Sequence, residues 1–193
     1  IDVPEDICHA THPFEPYEFS VNPYYEEAPS IRVRASSADI TTAAHIISKA
    51  RRPIMLCGGG MHLSKAYTEL KIFVENNKIP VAHTMSGKGS LPCTHPLSAG
   101  LFGRYDRIAN KLIKNSDCLL VIGCKLGEIA TKRYNLPAHN QTLIHVDIVA
   151  EEFDRSYRPT IRLWSDAKES LIDLNNAVKS INPNLSELNL KYA

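Results

Sequence analysis

Residues 118–122 read Cys-Leu-Leu-Val-Ile, and Gly123 closes the run. Five unbroken apolar residues bounded by a polar Ser116-Asp117 and a glycine are expected of a short strand buried on both faces. Strands of that kind belong to parallel sheets covered by helices on both sides, so this stretch decides the fold if its neighbours alternate correctly.

They do. Upstream, Ile108, Ala109, Leu112 and Ile113 recur at helical spacing over 107–114. Before them, Ile79-Pro80-Val81-Ala82 reads as a strand. Residues 64–76 place Ala66, Leu70, Phe73 and Val74 on one helical face. Ile54-Met55-Leu56-Cys57 is another short apolar run, closed by Gly58-Gly59-Gly60. Ser36-Ser37-Ala38-Asp39 has capping-box spacing and opens a helix that carries Ile40, Ala43, Ala44, Ile46 and Ile47 to about Lys49. Downstream, residues 143–148 form a strand, and 160–164 a weaker one expected at an edge. Asp166 caps a last helix with Ala167, Leu171, Leu174 and Val178. The expected fold is α/β: a doubly wound parallel sheet of five or six strands with helices on both faces.

Residues 1–35 differ. Pro4, Pro13, Pro16, Pro23 and Pro29 punctuate them, which predicts an extended path without helix. The domain reading is therefore a Pro-rich interdomain arm over 1–35, a central domain over 36–182 and a polar tail over 183–193. The chain starts at Ile1 with neither an initiator Met nor a signal-peptide pattern, which reads as a piece of a longer protein.

Composition excludes several classes. The 193 residues are 44% hydrophobic and 22% charged, the balance of a globular domain, not of a disordered chain or a coiled coil. A net charge of +1 provides no footprint for nucleic acid and no polybasic membrane segment. No apolar run reaches the roughly 20 residues of a membrane helix. The cysteines at 8, 57, 93, 118 and 124 are odd in number and contain no C-x-x-C, so a reducing cytoplasm is the better expectation. Asn140-Gln141-Thr142 and Asn184-Leu185-Ser186 match the glycosylation triplet, which also arises by chance.

In a doubly wound sheet, ligands bind beyond the carboxyl ends of the strands. Gly58, Gly59 and Gly60 stand between a strand and a helix, where they either admit a phosphate to free N–H groups or form a tight turn. Asp147 closes a strand and could accept from a ribose hydroxyl or cap a turn; Asp166 has the same ambiguity. Lys88 in Ser-Gly-Lys-Gly lacks the spacing of a phosphate loop. The eight histidines show no H-E-x-x-H and no cysteine partner at zinc spacing. His145, between Ile144 and Val146, reads as structural. Ser64 follows no G-x-S-x-G elbow. No nucleophile–base pair is found, so no catalytic residue is assigned.

Several blocks, in order, resemble the central domain of thiamine-diphosphate-dependent enzymes of the acetolactate synthase type. They are RRPIMLCGGG (51–60), KIPVAHTMSGKGSLPCTHPLSAGLFG (78–103), SDCLLVIGCKLGEIAT (116–131), TLIHVDIVAEEFDRSYRP (142–159) and SDAKESL (165–171). IDVPED (1–6) is similar to the end of the preceding domain. The resemblance implies a three-domain parent that makes or breaks a C–C bond beside a carbonyl, with 2-keto acids or related donors as substrates. Thiamine diphosphate and Mg²⁺ are then held by the N- and C-terminal domains in a homodimer or homotetramer. In some members FAD or ADP lies across the central sheet; in others that domain is purely structural.

On the resemblance, Gly58, Gly59 and Gly60 match the glycine turn near the nucleotide phosphates. Thr84 and Met85 match the residues beside the flavin. Gly103 and Arg104, with Tyr105, match a loop passing the dinucleotide. Gly123 and Lys125 match a Gly-x-Arg turn, and Asp147 and Asp166 match the adenosine end. The chain also departs from the flavin-binding pattern. Lys125 stands where those members have Arg and cannot make the same bidentate phosphate contact. Gly127-Glu128 replaces Asp-Asp, Val149 replaces an Asp, and Ser165 replaces a Gly. The order of expectation is an empty or vestigial site, then an adenine nucleotide, then FAD. The alternative is a free-standing nucleotide-binding module for NAD, FAD or ADP.

Overall fold

The computed structural model describes residues 2–19, 21–105 and 107–183. The chain divides into two compact units, 1–30 and 31–193. In the first, Glu5–His9 forms a short helix (α1), and 3-10 turns span Pro16–Phe19 and Pro23–Tyr25. This corrects the expectation of an arm without helix. Pro4 stands just before the first turn, where a proline removes no needed donor, and its carbonyl accepts from the N–H groups of Ile7 and Cys8.

The second unit carries the sheet. Helix α2 (Ser37–Lys49) starts where the capping spacing places it: the Ser36 hydroxyl accepts from Asp39 N at 3.1 Å and donates to the Asp39 carboxylate at 2.7 Å. Then follow β1 (Pro53–Cys57), a one-turn helix α3 (Gly60–Leu63), α4 (Tyr67–Asn77), β2 (Val81–His83) and β3 (Ser98–Leu101). After them come α5 (Ile108–Asn115), β4 (Cys118–Ile122), β5 (Thr142–Asp147), β6 (Ile161–Trp164) and α6 (Ala167–Ile181). The helix expected over 64–76 opens only at Tyr67, as α4, after the separate turn of α3. Lys65 between the two has φ +53°, which breaks helical continuity.

The six strands run in the order β3-β2-β1-β4-β5-β6, all parallel, so the direction of travel reverses between β1 and β4. All residues of β1 and β4 are buried, as the run at 118–122 requires. Alternate side chains feed two cores. Met55, Cys57, Leu120 and Ile122 face α2, α4 and α6, while Ile54, Leu56, Leu119 and Val121 face α5 and the 124–157 connections. β6 is the half-exposed edge strand expected. β3, at the other edge, carries no sequence signal: Ser-Ala-Gly-Leu is half-buried throughout and contains a glycine at φ +79°. Cys57 and Cys118 are buried thiols, and Cys124 joins them. Burial pushes the Cys57 and Cys118 thiols up to about 12 and that of Cys124 to about 11, which removes all three as ready nucleophiles. No described helix is long and apolar enough to cross a membrane.

Candidate functional site at the carboxyl edge of the sheet

Every candidate residue named from the sequence falls on one edge. Gly58 follows β1, Thr84 and Met85 follow β2, Gly103 and Arg104 follow β3, Gly123 and Lys125 follow β4, Asp147 ends β5, and Asp166 follows β6. Because β1 pairs with β4 up to Cys57–Ile122, the glycine turn and Gly123 meet at the point where the strand order reverses.

That meeting is close. A Cβ on Gly58 would stand 2.1 Å from the Gly123 carbonyl oxygen, and one on Gly60 2.6 Å from the Gly123 Cα. Gly123 itself has φ +54°. Three backbone donors are committed inward: Gly58 N to Ile122 O at 3.0 Å, Gly60 N to Gly123 O at 3.0 Å, and Gly123 N to Val146 O at 2.9 Å. Met61 and His62 donate back to the carbonyls of Gly58 and Gly59. On the β2 side, Thr84 N donates to Cys57 O, and a Cβ on Gly87 would stand 2.3 Å from that same carbonyl. These glycines are needed because one chain segment touches another.

The polar side chains are paired as well. Asp166 accepts through Oδ1 from Arg32 Nη1 (2.6 Å), Ser64 Oγ (2.9 Å) and the backbone N–H groups of Lys168 (3.0 Å) and Glu169 (3.4 Å). It is thus the α6 cap and half of an ion pair. Arg32 Nη2 also donates to the Ser64 carbonyl at 2.9 Å. Lys125 Nζ sits 3.1 Å from Glu152, a buried carboxylate that also accepts from Arg155. Burial pushes the Glu152 carboxyl up, but the hydrogen bonds and charges of Lys125 and Arg155 outweigh it and hold the group below its ordinary value.

Asp147 accepts from Val149 N at 2.9 Å, a local turn of the Asx kind, and lies 4.0 Å from His145 Nε2. His145 donates through Nε2 to the Cys124 carbonyl at 3.0 Å, and its ring meets Phe153 edge-on. Burial lowers its pKa against the pull of Asp147. Gly103, at φ +100°, is clamped by Asn110, whose amide bonds both Gly103 N and Gly103 O at 2.8 Å. Arg104 and Met85 are exposed; Arg104 lies over the Tyr105 ring.

Sequence reasoning placed the edge but missed its partners. By sequence Arg32 belongs to the Pro-rich arm, and Ser64 shows only the lack of a nucleophile motif. Glu152, Arg155 and Asn110 carry no local signal, because they act through partners distant in sequence.

These features define a doubly wound α/β domain with a topological switch between β1 and β4. Residues 40–174 match the family model described as thiamine pyrophosphate enzyme, central domain. The chain is 33% identical over 177 residues to a probable acetolactate synthase large subunit of Methanocaldococcus jannaschii, covering 90% of this chain and 29% of that protein. It is 38% identical over 130 residues to the probable acetolactate synthase large subunit of Methanococcus aeolicus, covering 67% and 22%. It is 31% identical over 182 residues to 3D-(3,5/4)-trihydroxycyclohexane-1,2-dione hydrolase 2 of Bacillus cereus, covering 94% and 28%. The chain therefore belongs to the central-domain family of thiamine pyrophosphate enzymes, and it spans less than a third of the length of these relatives.

Proposed function

We propose that this chain is the supporting middle domain of a thiamine-diphosphate enzyme, and that its carboxyl edge is closed by its own residues and carries neither FAD nor ADP. The observation that carries this reading is the contact of Gly58 and Gly60 with Gly123, whose N–H groups all donate within the protein. A diphosphate cradle needs such donors free. Asp166, Asp147 and Lys125, the other groups a nucleotide would use, are each held by a neighbour. The residues present do not fit the nucleotide.

In the parent, thiamine diphosphate supplies the carbanion chemistry, with Mg²⁺ holding its diphosphate, on 2-keto acids or related carbonyl donors. Both are bound by other domains. The middle domain's share is mechanical: the sheet and its two helical layers hold the flanking domains and the homodimer or homotetramer in register. A cytoplasmic setting fits the free thiols.

Calorimetric titration of the 193-residue chain with FAD, ADP and NAD tests the closed edge. No saturable binding tighter than about 100 μM, or roughly 5.5 kcal/mol, is expected. Micromolar binding of FAD or ADP contradicts it. The enzyme that carries this domain should turn over a 2-keto acid only with thiamine diphosphate and Mg²⁺, and added FAD should change nothing.

A further inference from the structure

The opposite edge of the sheet holds a cavity of about 270 Å³, at the amino ends of β1, β2 and β3 beneath one face of α5. It is separated from the glycine turn by the length of β1, roughly 16 Å for five residues. Its volume is just below the roughly 300–1,000 Å³ typical of drug-sized ligand sites, which suits a compact ligand.

Three features give it a chemical character. Arg51, Arg52 and Lys78 line it, and no acidic residue does. None of these three side chains forms an ion pair among the described residues. Asp117, which joins the same corner, spends its carboxylate on the backbone N–H groups of Arg51 and Arg52, at 2.8 and 2.9 Å. That contact pins the backbone and leaves both guanidinium groups available. The rest of the lining is largely apolar. Ile108 and Leu112, one turn apart on α5, are 74% and 40% exposed and form the wall over β3. Finally, the frame is stiff: Pro53, Pro80 and Pro96 stand at the three strand entrances, each with its φ fixed. A preorganised apolar pocket holds a ligand at low ordering cost, and the cations beside it supply charge.

We propose that this cleft binds a small organic anion, a carboxylate or phosphate monoester on a compact apolar body. Arg51 and Arg52 take the head group in forked contacts, and Lys78 adds a point charge. The apolar body lies against Ile108 and Leu112. The proposal is independent of whether the carboxyl edge takes a nucleotide.

The test is a ¹⁵N NMR titration of the 193-residue chain with hexanoate, hexyl phosphate, inorganic phosphate and 1-hexanol. Hexanoate or hexyl phosphate should shift the amides of Lys78, Ser98, Ala99 and Leu112 saturably, and the tighter of the two names the head group. Inorganic phosphate and hexanol should each bind at least about ten-fold more weakly, since each lacks half of the recognition. Arg52→Glu with Lys78→Glu should weaken the better ligand by a further ten-fold or more with an unchanged circular dichroism spectrum. Arg51→Gln with Arg52→Gln serves if that pair fails to fold. Equal binding of hexanol, shifts centred on Gly58 and Gly123, or undiminished binding by the folded variants would overturn the proposal.

Discussion

Arg32 and Asp166, separated by 134 residues in sequence, meet at 2.6 Å, and Ser64 bonds to both. The segment around Arg32, which precedes α2, is thereby tied to the cap of the last helix. Val33 extends the tie, since its carbonyl accepts from Asp166 N and Ser165 Oγ.

Arg32→Ala should cost about 1–2 kcal/mol, because the carboxylate keeps Ser64 and two backbone donors. Asp166→Ala should cost more, roughly 2–4 kcal/mol, because it removes the α6 cap and strands a half-buried guanidinium. Urea unfolding of both variants checks the order. Equal costs would mean that Asp166 acts only through Arg32.

His145 makes stability depend on pH. Burial holds its folded-state pKa below the ordinary 6.5, so the unfolded chain takes up a proton that the folded one refuses. Its contribution is whole above about pH 6.5 and erodes as pH falls from there toward the folded value, at no more than about 1.4 kcal/mol per unit. His145→Gln, which can still donate to Cys124 O, should show a flatter profile between pH 7.5 and 5. Glu152 and Asp154, also held below their ordinary values, erode stability only at lower pH. Parallel profiles for the two proteins would remove His145 from the account.

Asn110 fastens the loop after β3. Its amide satisfies Gly103 N, Gly103 O and Tyr105 O within 2.8 Å. Asn110→Ala removes this partner from the two buried Gly103 groups and from the half-buried Tyr105 carbonyl, at a cost of about 2–3 kcal/mol. Limited trypsin digestion should then cut faster at Arg104 and Arg107, which flank the freed turn. An unchanged cutting rate would show that the loop is held elsewhere.

The fold was legible wherever burial follows a local period. The run at 118–122, the capped helices at Ser36 and Asp166, and the weak edge strand at 161–164 all lie where the pattern puts them. β3 was not legible, because Ser98 and Gly100 hold their place by pairing with β2 and not by burying large apolar side chains, and Ala99 falls at a register shift between them. At the site, residue types marked the right edge, but their use depends on partners brought by the fold. Nothing near Lys125 announces Glu152, and nothing near Gly60 announces Gly123. A glycine that admits a phosphate and one that admits another backbone look identical in sequence.

That distinction is testable at Gly60, where a Cβ would stand 2.6 Å from the Gly123 Cα. The most direct measurement is urea unfolding of Gly60→Ala against the parent chain in buffer free of nucleotide. The glycine contact requires a loss of roughly 3 kcal/mol or more, or a failure to fold, because backbone at that distance must move. A variant as stable as the parent would contradict the account and place the glycine turn in the service of a ligand.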